Sequence, residues 1–135
     1  MMLSLAAMML MQPEGVKPDC NGNTLEVNVC LVEKRDASEK RLQKYLNAAL
    51  GRQFNDPDGG AVQLGIRASQ QIFETYRDVE CATVAEHWKG GTVRVAMSLR
   101  CQAQLTDERT HMIWSHWLRY ADRTPPILPE PKPTQ

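Results

Sequence analysis

Apolar positions recur at a period near 3.6 residues in three long stretches, and two clusters of glycine and turn formers divide them. The first stretch, Asn23 to Leu50, carries Leu25, Val29 and Val32, then Leu42, Leu46 and Ala49, at helical spacing. Asn23 suits the N-cap, because its side-chain oxygen can accept from the free N–H groups of the first turn. Glu26 supplies the reciprocal half of a capping box. The charged segment Lys34 to Arg41 predicts a surface position for the middle of this helix. Gly51 and then Asn55-Asp56-Pro57-Asp58-Gly59-Gly60 end it.

The second helix is expected from about Ala61 to Val84 or beyond, with Val62, Ile66, Ser69, Phe73 and Tyr76 on one stripe and Val79 or Glu80 next. After Gly90-Gly91, a third stripe runs through Val95, Leu99, Gln102, Thr106, Arg109, Ile113, Trp117 and Tyr120. Thr124-Pro125-Pro126 stops that helix near Ala121, since proline lacks the N–H and restricts the residue before it. Trp114 and His116 fall off this stripe and mark a candidate contact surface. No stretch alternates as a strand would. The pattern therefore predicts an all-α fold, an antiparallel array of three long helices. Its expected division is 1–18 as a signal-peptide remnant or disordered tail, 19–122 as the helical domain, and 123–135 as an exposed Pro-rich tail with no fold of its own.

Composition narrows the functional classes. The chain has 135 residues, one domain's worth, with 16 basic and 16 acidic side chains and a formal net charge of zero. A neutral chain has no field to gather phosphates, which argues against a nucleic-acid binder. The apolar run from Leu3 to Met11 is too short for a membrane span but fits the apolar part of a secretory signal, so the chain is expected not to be membrane-spanning.

The four cysteines, Cys20, Cys30, Cys81 and Cys101, contain no C-x-x-C pair, which disfavours a zinc knuckle or a dithiol redox site. In an up-down-up array all four lie at one end, so two disulfides are expected to staple the helices there. Three pairings are possible, with a lean towards Cys30 bonding to a different helix. Disulfides point to an oxidising compartment, periplasmic or secreted.

Polar groups on the apolar stripes are the remaining candidates. Arg109 lies on the third stripe, Arg77 and Asp78 beside Tyr76 on the second, and Glu26 and Asn28 at the start of the first. A buried cation must be paired or reach water. The expectation is a structural clasp in which Asp78 or Glu26 holds an arginine, or else a recognition surface. No Gly-rich phosphate loop, nucleophile elbow or metal-ligand spacing is present, so no enzyme, no cofactor and no metal are expected.

Several of these residues form blocks that resemble a known family. Glu26-Val27-Asn28-Val29-Cys30, with Cys20 upstream, is similar to its opening motif, and Leu42-Gln43 stands where it has Leu-Asn. Gln70, Phe73, Tyr76-Arg77-Asp78 and Cys81 resemble its central signature, with Phe73 in place of tryptophan. Gly90-Gly91-Thr92, Ala96, Cys101, Leu105-Thr106 and Arg109 resemble its last block. The family is the LprI-like group of secreted or lipid-anchored bacterial proteins, and the resemblance extends from about Asp19 to Ile113. It implies an exported, disulfide-held helical domain and, further, a protein partner such as lysozyme or another muramidase. No lipobox precedes Cys20. The expected function is steric inhibition of a peptidoglycan-cleaving hydrolase, aided by acidic segments at Asn55–Asp58 and Asp78–Glu86. The alternative is a structural or assembly role in the envelope through the Pro-rich tail.

Overall fold

A computed structural model of the chain describes residues 15–133, so the apolar run at Leu3 to Met11 lies outside the described residues. Helix α1 spans Thr24–Phe54, α2 Gly60–His87 and α3 Arg94–Ile113, and a π-helical turn, Trp114–Leu118, continues α3. The fold is all-α. Helix α3 packs along both other helices, which touch each other less.

The capping box forms as the sequence predicts. Asn23 Oδ1 accepts from the N–H groups of Leu25 at 3.0 Å and Glu26 at 3.1 Å, and the Asn23 N–H donates to Glu26 Oε2 at 2.8 Å. Helix α1 passes through Gly51 instead of stopping there, because the stronger breaker lies further on. Asp56 Oδ1 accepts from the Asp58 N–H at 2.9 Å, an Asx turn, and the Gly59 N–H reaches the Asp56 carbonyl at 3.0 Å. A side chain at Gly59 would collide with the Gln53 carbonyl, so only glycine lets the chain double back here.

The main core joins Leu42, Tyr45, Leu46, Ala49 and Leu50 of α1 to Ile66 of α2 and to Ile113, Trp114 and Leu118. A smaller cluster, Leu31 with Ala96 and Leu99, fills the other end of the α1–α3 contact. Each fully buried Leu or Ile contributes about 1.5–3 kcal/mol.

The stripes differ from expectation in phase. Leu25, Val95, Tyr76 and Val79 are exposed, whereas Ala96 and Cys81 are buried. Trp114 is buried, not part of a contact surface, while His116 is exposed as expected. Trp114 enters the core directly after Ile113. Its ring stands beside Ile113, and the wider i→i+5 bonding that follows then puts Leu118, five residues past Ile113, in the core where α-helical spacing would put Trp117.

The Pro-rich tail is not a free extension over its described part. The Ile127 N–H donates to the Leu118 carbonyl at 2.9 Å, Trp114 Nε1–H to the Leu128 carbonyl at 2.9 Å, and the Tyr45 hydroxyl to the Pro129 carbonyl at 2.6 Å. Leu128 packs on the main core. Proline fixes the backbone and lacks an N–H but its carbonyl still accepts, so the strap docks through the Leu128 and Pro129 carbonyls and the Ile127 N–H.

The disulfides pair Cys20 with Cys30 and Cys81 with Cys101. Cys30 therefore does not bond to another helix. The turn before α1 folds back along it, with the Asp19 N–H 3.3 Å from the Glu26 carbonyl, and delivers Cys20 to a Cα separation of 5.4 Å from Cys30. The second bridge ties α2 to α3. No helix among the described residues is long and apolar enough to cross a membrane.

Candidate functional site

Where the three helices meet, two arginines flank one aromatic ring. The guanidinium of Arg77 lies 5.5 Å from the Phe73 ring centre and that of Arg109 lies 5.7 Å from it. Phe73 and Arg77 share a face of α2 because they are four residues apart, one helical turn. Arg109 approaches from α3.

Arg77 Nη1 donates to Glu39 Oε2 of α1 at 2.9 Å and to Thr106 Oγ1 of α3 at 3.2 Å, and its Nε reaches Asp78 Oδ1 at 3.3 Å. One side chain thus links all three helices. Glu39 is its interhelical acid, and Asp78, with a side chain 70% exposed, is a marginal second. Glu26 holds no arginine. It is engaged in the α1 capping box, more than three helical turns before Glu39.

Arg109 forms no ion pair among the described residues. Its Nε donates to Gln70 Oε1 at 3.1 Å and its Nη2 to Ser69 Oγ at 3.0 Å. Gln70 is buried and passes the polarity on, donating from Nε2 to Glu74 Oε1 at 3.1 Å. Burial pushes the Arg109 pKa below its usual value, since a charge loses hydration there, but arginine starts so high that it stays protonated. Asn28 lies away from this group at the Cys20–Cys30 end, and its Oδ1 is buried with no hydrogen-bond partner among the described residues.

Sequence reasoning named Arg77, Asp78 and Arg109 as candidates, placed Ser69 on the α2 stripe and Gln70 in a family motif without giving either a partner, and missed Glu39. Glu39 stands in the charged run read as solvated surface, and nothing distinguishes it there except its place opposite Arg77. Within the same run, Arg41 Nη2 bonds Asp107 Oδ1 at 2.8 Å, a second α1–α3 tie.

Beside that pair, a groove of about 570 Å³ opens between α1, α3 and the tail, lined by Leu31, Lys34, Arg100, Ala103, Glu108 and Pro131 among others. Charges of both signs line it, and Asp107 is committed to Arg41. Among the described residues no three His, Cys, Asp or Glu side chains cluster as metal ligands would.

Taken together, the geometry defines a small three-helix, two-disulfide domain whose central polar groups bond to one another across helices. Residues 18–112 match the family described as Lysozyme inhibitor LprI, and the chain belongs to that family, a family of inhibitors and not of catalysts. Neither the curated proteins nor the solved structures contain a match to it.

Proposed function

We propose that this protein is an exported bacterial binding protein that inhibits a muramidase by covering its cleft. Membership in the lysozyme-inhibitor family over residues 18–112 is the observation that carries this reading. Two disulfides favour an oxidising compartment, the periplasm or the exterior. The Arg77–Glu39–Thr106 and Arg109–Gln70 bonds serve as an internal clasp, so the surface is rigid before docking and loses little entropy on binding. The acidic segments Asn55–Asp58 and Asp78–Glu86 are set apart along α2, about 30 Å from Asp58 to Asp78 at 1.5 Å per residue. They make no single acidic face. Attraction to a cationic lysozyme is then weak at long range, and inhibition depends on fit and changes little with salt.

The alternative role through the Pro-rich tail is less favoured, because Leu128, Pro129 and Glu130 already engage the protein's own helices. The test is a titration of cell-wall lysis by animal-type and bacterial muramidases against the purified protein. Loss of activity saturating near equimolar ratio is expected. Full activity of every enzyme at micromolar excess would exclude inhibition.

A further inference from the structure

The outward face of α2 is an apolar stripe with nothing against it. Leu64 and Ile72 are each 70% exposed, Val79 63% and Tyr76 53%. At about 100° per residue these side chains and Ala68 share one side of the helix. Ile66, Gln70, Phe73, Arg77 and Cys81, which face the other helices, share the opposite one. Single exposed apolar residues are ordinary, but a stripe this long on one helix is a docking surface.

We infer that this face binds a second copy of the same chain, α2 against α2, antiparallel about a two-fold axis through Ile72. Three observations select that occupant. In this arrangement each residue before Ile72 faces the residue equally far after it, so Ala68 meets the partner's Tyr76 and Gly65 meets the partner's Val79, small against large.

The charges at the edge also match. Arg67 and Asp78 lie on the same flank of the stripe, five residues before and six after Ile72. Arg67 has no ion-pair partner among the described residues, and Asp78 touches only its neighbour Arg77. The two-fold brings Arg67 to within one residue's rise, about 1.5 Å, of the level of the partner's Asp78, twice. A parallel pairing offers Arg67 no acid at its own level.

Gly65 is the third. Glycine weakens a helix interior relative to alanine, and a Cβ built on Gly65 meets nothing within 4 Å, so no contact inside the chain requires it. A second helix crossing close at that level does.

This inference stands apart from the inhibitor reading, and sedimentation equilibrium on the full chain tests it. Wild type is expected to approach twice 15.3 kDa at micromolar concentration. Ile72→Asp should give a single-chain mass with unchanged helicity. Arg67→Asp should weaken the dimer by about tenfold, and the double exchange Arg67→Asp with Asp78→Arg should restore it. Should Ile72→Asp misfold, Ile72→Cys decides, because a cysteine on the axis crosslinks to the partner's copy under mild oxidation. A single-chain mass at every concentration, or a dimer that Ile72→Asp leaves intact, overturns the inference. So does a monomeric wild type whose muramidase inhibition is lost on Ile72→Asp, which gives the face to the hydrolase instead.

Discussion

Arg77 ties α2 to both other helices through one guanidinium, and the strengths of its bonds differ. Thr106 is fully buried and its hydroxyl depends on internal partners, whereas the Glu39 side chain is 40% exposed and can turn to water. Arg77→Ala should therefore destabilise the fold by about 2 kcal/mol in urea unfolding, towards the lower range for a charged hydrogen-bond hub. Thr106→Val should cost less than about 1 kcal/mol, since Arg77 keeps Glu39 and valine fills the same volume. Tyr45 gives a residue-scale pH prediction. Burial raises its pKa above the ordinary value. The unfolded phenol loses its proton first, so stability is full below about pH 10 and falls as pH rises through the folded pKa. Thermal melts of wild type should drop over that window, and Tyr45→Phe should flatten the drop. Of these residues, the arginines were visible in the sequence as cations on apolar stripes. Glu39 was not, because a carboxylate in a charged run looks the same whether or not an arginine from another helix reaches it.

At the scale of elements, helix existence follows from caps and breakers, and helix phase does not. The Asn23–Glu26 box and the Asn55–Gly60 turn are local chemistry, and both act where the sequence puts them. The π turn at Trp114–Leu118 is a tertiary choice. It brings Leu118 inward beside Trp114, whose ring N–H holds the tail, and Arg52 closes the turn's open end by donating to the Trp117 carbonyl at 2.7 Å and the Arg119 carbonyl at 3.0 Å. The tail then acts as a strap over Tyr45 and Trp114. Ending the chain at Arg123 should lower stability by about 2 kcal/mol or more while helicity stays unchanged. Tryptophan emission should shift to the red as Trp114 meets water. Unchanged emission and melting would show that the strap contributes nothing.

For the whole molecule, a core of modest size carries two covalent ties of unequal reach. Cys20–Cys30 closes a separation of 10 residues between α1 and the turn before it, and Cys81–Cys101 closes 20 between two helices. Loop-closure entropy gives the longer one about 3 kcal/mol and the shorter somewhat less. Replacing Cys81 and Cys101 together by serine should lower the urea midpoint more than replacing Cys20 and Cys30. Equal losses would indicate that native packing, not loop length, sets the contribution.

Local chemistry in the chain was enough to specify three helices, the cap that starts the first and the turns between them, the oxidised state of the cysteines and the family, because caps, breakers, periodicity and motif spacing all act over a few residues. Contacts between distant segments decided the rest: which cysteine Cys30 meets, that Glu39 answers Arg77, that Trp114 turns inward, and that the proline-rich strap docks. Those outcomes depend on how the helices are rotated against one another, and rotation is set by the sum of all interhelical contacts at once, so no single stretch of sequence contains it.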